Sequence, residues 1–176
     1  PQYSDNDGAM NQSAGNGASV ILSNSTNETS DITIGVDVSK FQGTIDWAQA
    51  ASSGVDFAMI RVGYRAQKTG VIYADTNAKY NMQQAAANGI KVGVYFFSSA
   101  VNEAEAIEEA DWVADFIADY SITYPVAFDC EGFNTSESRQ KSMTKAERTD
   151  VAVAFLQEIY DKGYTPMFYA CLLYTS

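Results

Sequence analysis

The sequence predicts an α/β fold in which a parallel sheet is covered by helices, and three observations predict it. Short apolar runs alternate with longer segments whose apolar residues recur at helical spacing. The helical segments open on capping residues and several close on glycine. Five strands separated by four helical crossovers then require parallel pairing, in either a doubly wound sheet or a closed barrel. No Gly-x-Gly-x-x-Gly or Walker-type loop follows any strand. A nucleotide-binding sheet therefore loses its usual support and a barrel gains.

Residues 1–31 are rich in Ser, Asn, Gly, Ala and Thr, with only Val20, Ile21 and Leu22 able to bury surface, and read as a disordered linker. The first strand is expected at 32–38. Asp46 and Gln49 have the spacing of a helix start. A second strand spans 57–62. The helix at 77–88 buries Ala78, Met82, Ala85 and Ala86 and stops at Gly89. A third strand spans 91–97. Asn102 and Glu105 open a helix that ends near Tyr120, with Ile107, Ala110, Ala114 and Ile117 on its buried stripe; its acidic residues Glu103, Glu105, Glu108, Glu109 and Asp111 read as a solvated face. A fourth strand at 126–130 follows Pro125. Thr144 and Glu147 open a helix that buries Val151, Phe155 and Ile159, Gly163 ends it, and a fifth strand starts at Pro166.

Composition narrows the chemistry. The 176 residues, 46% apolar, suffice for one core. A formal charge of -11 repels nucleic acid and anionic membranes, and no apolar run approaches the roughly 20 residues that span a bilayer. Histidine is absent, which removes His-based nucleophile systems and most zinc sites, so catalysis would run on carboxylates with no metal or cofactor. Cys130 reads as a small buried residue, and two cysteines do not make a disulfide framework. A monomer is expected.

In a parallel barrel the active site lies at the C-terminal strand ends. Those ends are acidic and aromatic: Asp37, Arg61 with Tyr64, Tyr95 and Phe97, then Asp129 and Glu131, with Tyr169 on the fifth strand. Asp129 and Glu131 are two apart on a strand, so their carboxylates share a face while Cys130 points away. Two close carboxylates raise one pKa, which places a proton donor beside an anion and suits cleavage of an acetal. Tyr64, Tyr95, Phe97 and Tyr169 would stack on sugar faces or pack as core aromatics. Gln42 and Asp75 lie near the same rim and would bind substrate or cap loops. Arg61 reads as a structural ion pair or a further substrate contact.

The segments Asp37-Val-Ser-Lys-Phe-Gln-Gly-Thr-Ile-Asp-Trp47, Phe57-Ala-Met-Ile-Arg-Val-Gly-Tyr64, Gly93-Val-Tyr-Phe-Phe97 and Pro125-Val-Ala-Phe-Asp-Cys-Glu131 resemble glycoside hydrolase family 25 in order and spacing, over residues 32–170. The resemblance implies a modified TIM-type (β/α) barrel, incomplete here with about five strands present and the last strands missing. It implies an N-acetylmuramidase acting on peptidoglycan glycan strands at the β-1,4 bond between N-acetylmuramic acid and N-acetylglucosamine, secreted and associated with the cell wall. Glu131 would be the general acid. Asp129 would orient the acetamido group or stabilise the developing cation, and Asp37 would support both. A further late acidic residue of the family is not in the chain. Residues 171–176 read as a translated sequencing adapter, so the natural barrel is expected to continue past Ala170 and the fragment itself to be inactive. The competing readings are a catalytically silent glycan-binding module and a chitinase-like barrel glycosidase.

Overall fold

The computed structural model describes residues 33–133 and 135–170; the expected linker at 1–31 and the adapter segment at 171–176 lie outside them. Among the described residues one mixed sheet carries the strands β1 (Gly35–Val38), β2 (Phe57–Arg65), β3 (Ile72–Ala74), β4 (Lys91–Phe97), β5 (Val126–Asp129) and β6 (Pro166–Tyr169). The order is β1-β2-β4-β5-β6, parallel throughout, with β3 antiparallel on β2. The helices α1 (Trp47–Ser52), α2 (Ala78–Ala87), α3 (Glu103–Ile117) and α4 (Lys145–Asp161) make the crossovers, giving the arrangement expected of a part of a β/α barrel. The short β3 was not foreseen, because three residues after a Gly70 turn are too few to show a period.

Helix starts follow the capping pattern. Asp46 accepts from Gln49 N–H and Asn102 from Glu105 N–H, both at 2.9 Å, while Thr144 and Glu147 form a reciprocal capping box. Alternate strand residues, among them Ile60, Val62, Val94, Phe96, Val126 and Phe128, meet Met82, Val113, Ile117, Phe155 and Ile159 of the helices in one core.

Two helix faces differ from expectation by a small rotation. In α2 it is Asn81, not Ala86, that is buried, and Asn81 Oδ1 accepts from the Trp47 indole at 3.1 Å, so a polar side chain with a dedicated partner displaces an apolar one. In α3 the buried stripe runs through Ala106, Glu109, Ala110, Val113 and Ile117 while Ile107 is exposed. The acidic run is therefore not a uniformly solvated face. Glu109 is fully buried, and its Oε1 accepts from Arg65 Nε at 2.7 Å. The charge partner lies 44 residues away, beyond what helical periodicity can register.

Candidate active site

The sheet face opposite the helices carries the chemistry. Asp37 of β1 pairs in register with Met59, Arg61 with Tyr95, Tyr95 with Ala127, and Asp129 with both Phe97 and Tyr169. Residues paired across parallel strands project to one side, so these side chains share a surface. A shift of register between Arg61 and Gly63 inserts one extra residue into β2, which lets Arg61 and Tyr64, three apart, both reach this side. A groove of about 220 Å³ opens there, lined by Gly35, Val36, Asp37, Phe57, Met59, Tyr95, Ala127, Asp129, Met167 and Tyr169. Gly93 pairs in register with Met59, and a Cβ there would sit 2.5 Å from Met59 Sδ and 2.9 Å from the Pro125 carbonyl, so a side chain would crowd both a groove residue and the main chain.

Three carboxyls meet at this end of the sheet. Asp129 is buried and raised well above the usual carboxylate range, first by desolvation and then by the charges of Glu131 and Asp37, with Arg61 opposing. Among the described residues its Oδ1 has no hydrogen-bond partner. Glu131, also buried, is raised by desolvation and by Asp37. Asp37 is the most exposed of the three, yet the surrounding groove walls desolvate it enough to raise it, against a hydrogen bond from the Tyr95 hydroxyl and the charge of Arg61. The Tyr95 hydroxyl is raised by burial and by the charges of Asp37 and Asp129, with Arg61 opposing, so it stays a donor.

The other expected residues divide into two groups. Tyr95 and the exposed Tyr169 line the groove. Tyr64 and Phe97 are buried in a small cluster with Ala66, so core packing claims most of their surface. Arg61 and Asp75 are buried against each other, Nη2 to Oδ2 at 2.8 Å, and Asp75 also accepts the Lys40 and Asn77 N–H groups. That pair anchors the rim, and Arg61 acts on the carboxyls by its charge. Gln42 caps the turn after β1, its Oε1 accepting Ser39 N–H at 2.6 Å. Sequence reasoning missed Phe57, Met59 and Met167 as groove residues; counting back by twos from Arg61 and Tyr169 would have found them. It also missed the exposed rings of Phe41 and of Tyr73, which stacks on Tyr64 at 5.5 Å. Among the described residues no group of three or more His, Cys, Asp or Glu is arranged to hold a metal, and no helix is long and apolar enough to cross a membrane.

The family described as Glycosyl hydrolases family 25 matches residues 36–176. Lysozyme M1 of Streptomyces globisporus is 34% identical over 80 residues, which cover 46% of this chain and 25% of that protein. The autolysin LytC of Streptococcus pneumoniae, solved in complex with a synthetic peptidoglycan ligand, superposes with a TM-score of 0.68 at 21% identity, covering 77% of this chain and 32% of that one. The muramidase of Trichobolus zukalii gives 0.60 at 23% identity, covering 78% and 65%. The chain thus spans about a quarter of the curated relative and a third of the autolysin.

Proposed function

The chain belongs to glycosyl hydrolases family 25, and from that premise we propose that it is the part of a peptidoglycan hydrolase that cleaves the β-1,4 bond between N-acetylmuramic acid and N-acetylglucosamine, acting outside the cell on wall glycan. One observation carries the reading: at the C-terminal ends of parallel strands Asp37 and Asp129 line one groove with Tyr95 and Tyr169, and Glu131 follows two residues after Asp129, close enough that its charge and that of Asp37 raise Asp129.

Burial and mutual repulsion keep a proton on this trio at pH values where an ordinary carboxyl has lost it. Glu131 delivers that proton to the leaving glycosidic oxygen. Asp129, with Oδ1 unpartnered, accepts the N–H of the substrate acetamido group or faces the developing oxocarbenium charge. An N–H donated to Asp129 favours its anion, which leaves the shared proton with Glu131. Asp37 holds the Tyr95 hydroxyl and adds negative potential. Tyr169 offers an exposed ring to an apolar sugar face.

Glu131→Gln keeps the shape and removes the acid. The expected result is a loss of wall lysis of roughly a thousandfold, within the range of general acid catalysis, with binding to walls retained. Unchanged lysis would remove Glu131 from the mechanism. Cleavage of chitin in preference to peptidoglycan would assign a different substrate to the same groove.

A further inference from the structure

Among the described residues no hydrogen bond steers the Glu131 carboxyl; what perturbs it is burial and the charge of Asp37. Its direction must come from the main chain that carries it. That main chain has just left β5 and enters an irregular segment up to Thr144, where α4 begins. Gly132, the next residue, takes a φ of +64°, a left-handed turn that any other side chain would strain. Irregular backbone of this kind is not rigid by itself, so something outside the segment has to fix it.

The segment is tied down at several points. The Gly132 carbonyl accepts from Gln67 Nε2 at 3.5 Å and from Thr135 Oγ1 at 3.2 Å. Gln67 in turn accepts Arg139 N–H through its own carbonyl, at 3.2 Å. The Arg139 guanidinium reaches the first turn of α3 and grips Glu105 with both ends of its fork, Nη1 to Oε2 at 2.9 Å and Nη2 to Oε1 at 2.8 Å. Gln140 donates to the Ala100 carbonyl at 2.8 Å. Glu105 is fixed as well, because its Oε2 accepts Val101 N–H at 3.0 Å and its carbonyl accepts Arg65 Nη2 at 3.1 Å. Burial pushes the Glu105 carboxyl up, but the Arg139 and Val101 hydrogen bonds with the Arg139 and Arg65 charges outweigh it, and the group is held anionic below the usual range. Gly70 in the β2–β3 turn closes the arrangement, since a Cβ there would lie 2.7 Å from Arg139 Nη1.

From this we infer that Arg139 is a positioning residue: by clamping the post-β5 segment to Glu105 through its fork, while its main-chain N–H ties the same segment to Gln67, it sets the aim of Glu131. The inference rests on the catalytic reading of Glu131. A planar fork that makes two parallel bonds fixes orientation as well as distance, which a lysine ammonium cannot do. Misplacing a reacting group by about 1 Å costs up to a hundredfold in rate without a matching loss of binding.

The test compares Arg139→Met, Arg139→Lys and Glu131→Gln in the protein carrying this sequence, on soluble peptidoglycan glycan fragments, with kcat, KM, the pH profile of kcat and the melting temperature read for each. Arg139→Met keeps the stem and removes the fork; kcat should fall on the order of tenfold to a hundredfold with KM within about twofold, and the alkaline limb should move to lower pH as water reaches Glu131. Arg139→Lys should fall between the two. Unchanged kcat and an unmoved limb in Arg139→Met, beside an inert Glu131→Gln, overturn this inference and leave the proposed function standing. Should Arg139→Met not fold, Arg139→Lys decides in the same way by its kcat and alkaline limb. A fully active Glu131→Gln overturns both readings.

Discussion

On β5, Val126 and Phe128 face the helices while Ala127 and Asp129 face the groove, one residue apart on the same strand. The first pair enters a core where Phe128 lies 5.0 Å from the Phe155 ring. The second brings a carboxyl out of water with one oxygen unpartnered among the described residues. Burial is deep on both sides, yet its sign differs: apolar area removed from water stabilises, whereas a desolvated carboxyl with a like charge beside it costs free energy that the core must offset. Burial alone therefore does not say what a residue is for. What it is buried against does.

The comparison breaks if the two faces respond alike to substitution. Phe128→Ala should be the most damaging change, about 3–5 kcal/mol of unfolding free energy through the cavity it leaves, measurable by urea titration. A smaller effect would come from the buried acid on the helix side. Desolvation raises Glu109 to about 7, against the Ser98 and Arg65 hydrogen bonds. Between its unfolded value near 4.5 and about 7 the native state keeps a proton that the unfolded chain has released, so stability falls as pH rises through this window. The fall attributable to Glu109 is on the order of 3 kcal/mol. Unfolding of Glu109→Gln followed from pH 4.5 to 8 should lack that share of the slope, while Asp37, Asp129 and Glu131, raised in the same direction, supply the remainder.

Asp129→Asn sharpens the comparison from the other side. Removing a carboxyl that resists ionisation should raise the melting temperature near pH 8 by a few degrees while lysis collapses, the exchange expected when stability has been given up for a site. A fall in melting temperature would show that the charge is stabilising after all. The smallest effect belongs to a pair on neither face: Lys68 and Glu137 meet at 2.5 Å but are both more than half exposed, so Glu137→Gln should change stability by less than about 0.5 kcal/mol.

Most of the fold was legible because its signals are local. β4 and the starts of α1, α3 and α4 follow from alternation and capping within a few residues. Asp129 was legible on the groove face by the same alternation, whereas Glu131 lies past the end of β5, where strand alternation no longer fixes a direction. What escaped depends on distant partners. Glu109 looked solvated because Arg65 is invisible from within α3. Tyr64 and Phe97 stayed open between sugar stacking and core packing because nothing local reveals that they share one cluster. Arg139 had no local mark at all; its fork grips a residue 34 positions earlier.

Cys130 sits between the two acids and turns its thiol into the helix-side core, where burial and then the neighbouring Asp129 charge push it up to about 12. A thiol of that kind does not react with disulfide reagents while the strand stays in place. It makes a built-in timer for β5. The labelling rate of this sulfur, next in the chain after β5, reports how often the end of that strand parts from its helices, beside the chemistry and without any added probe.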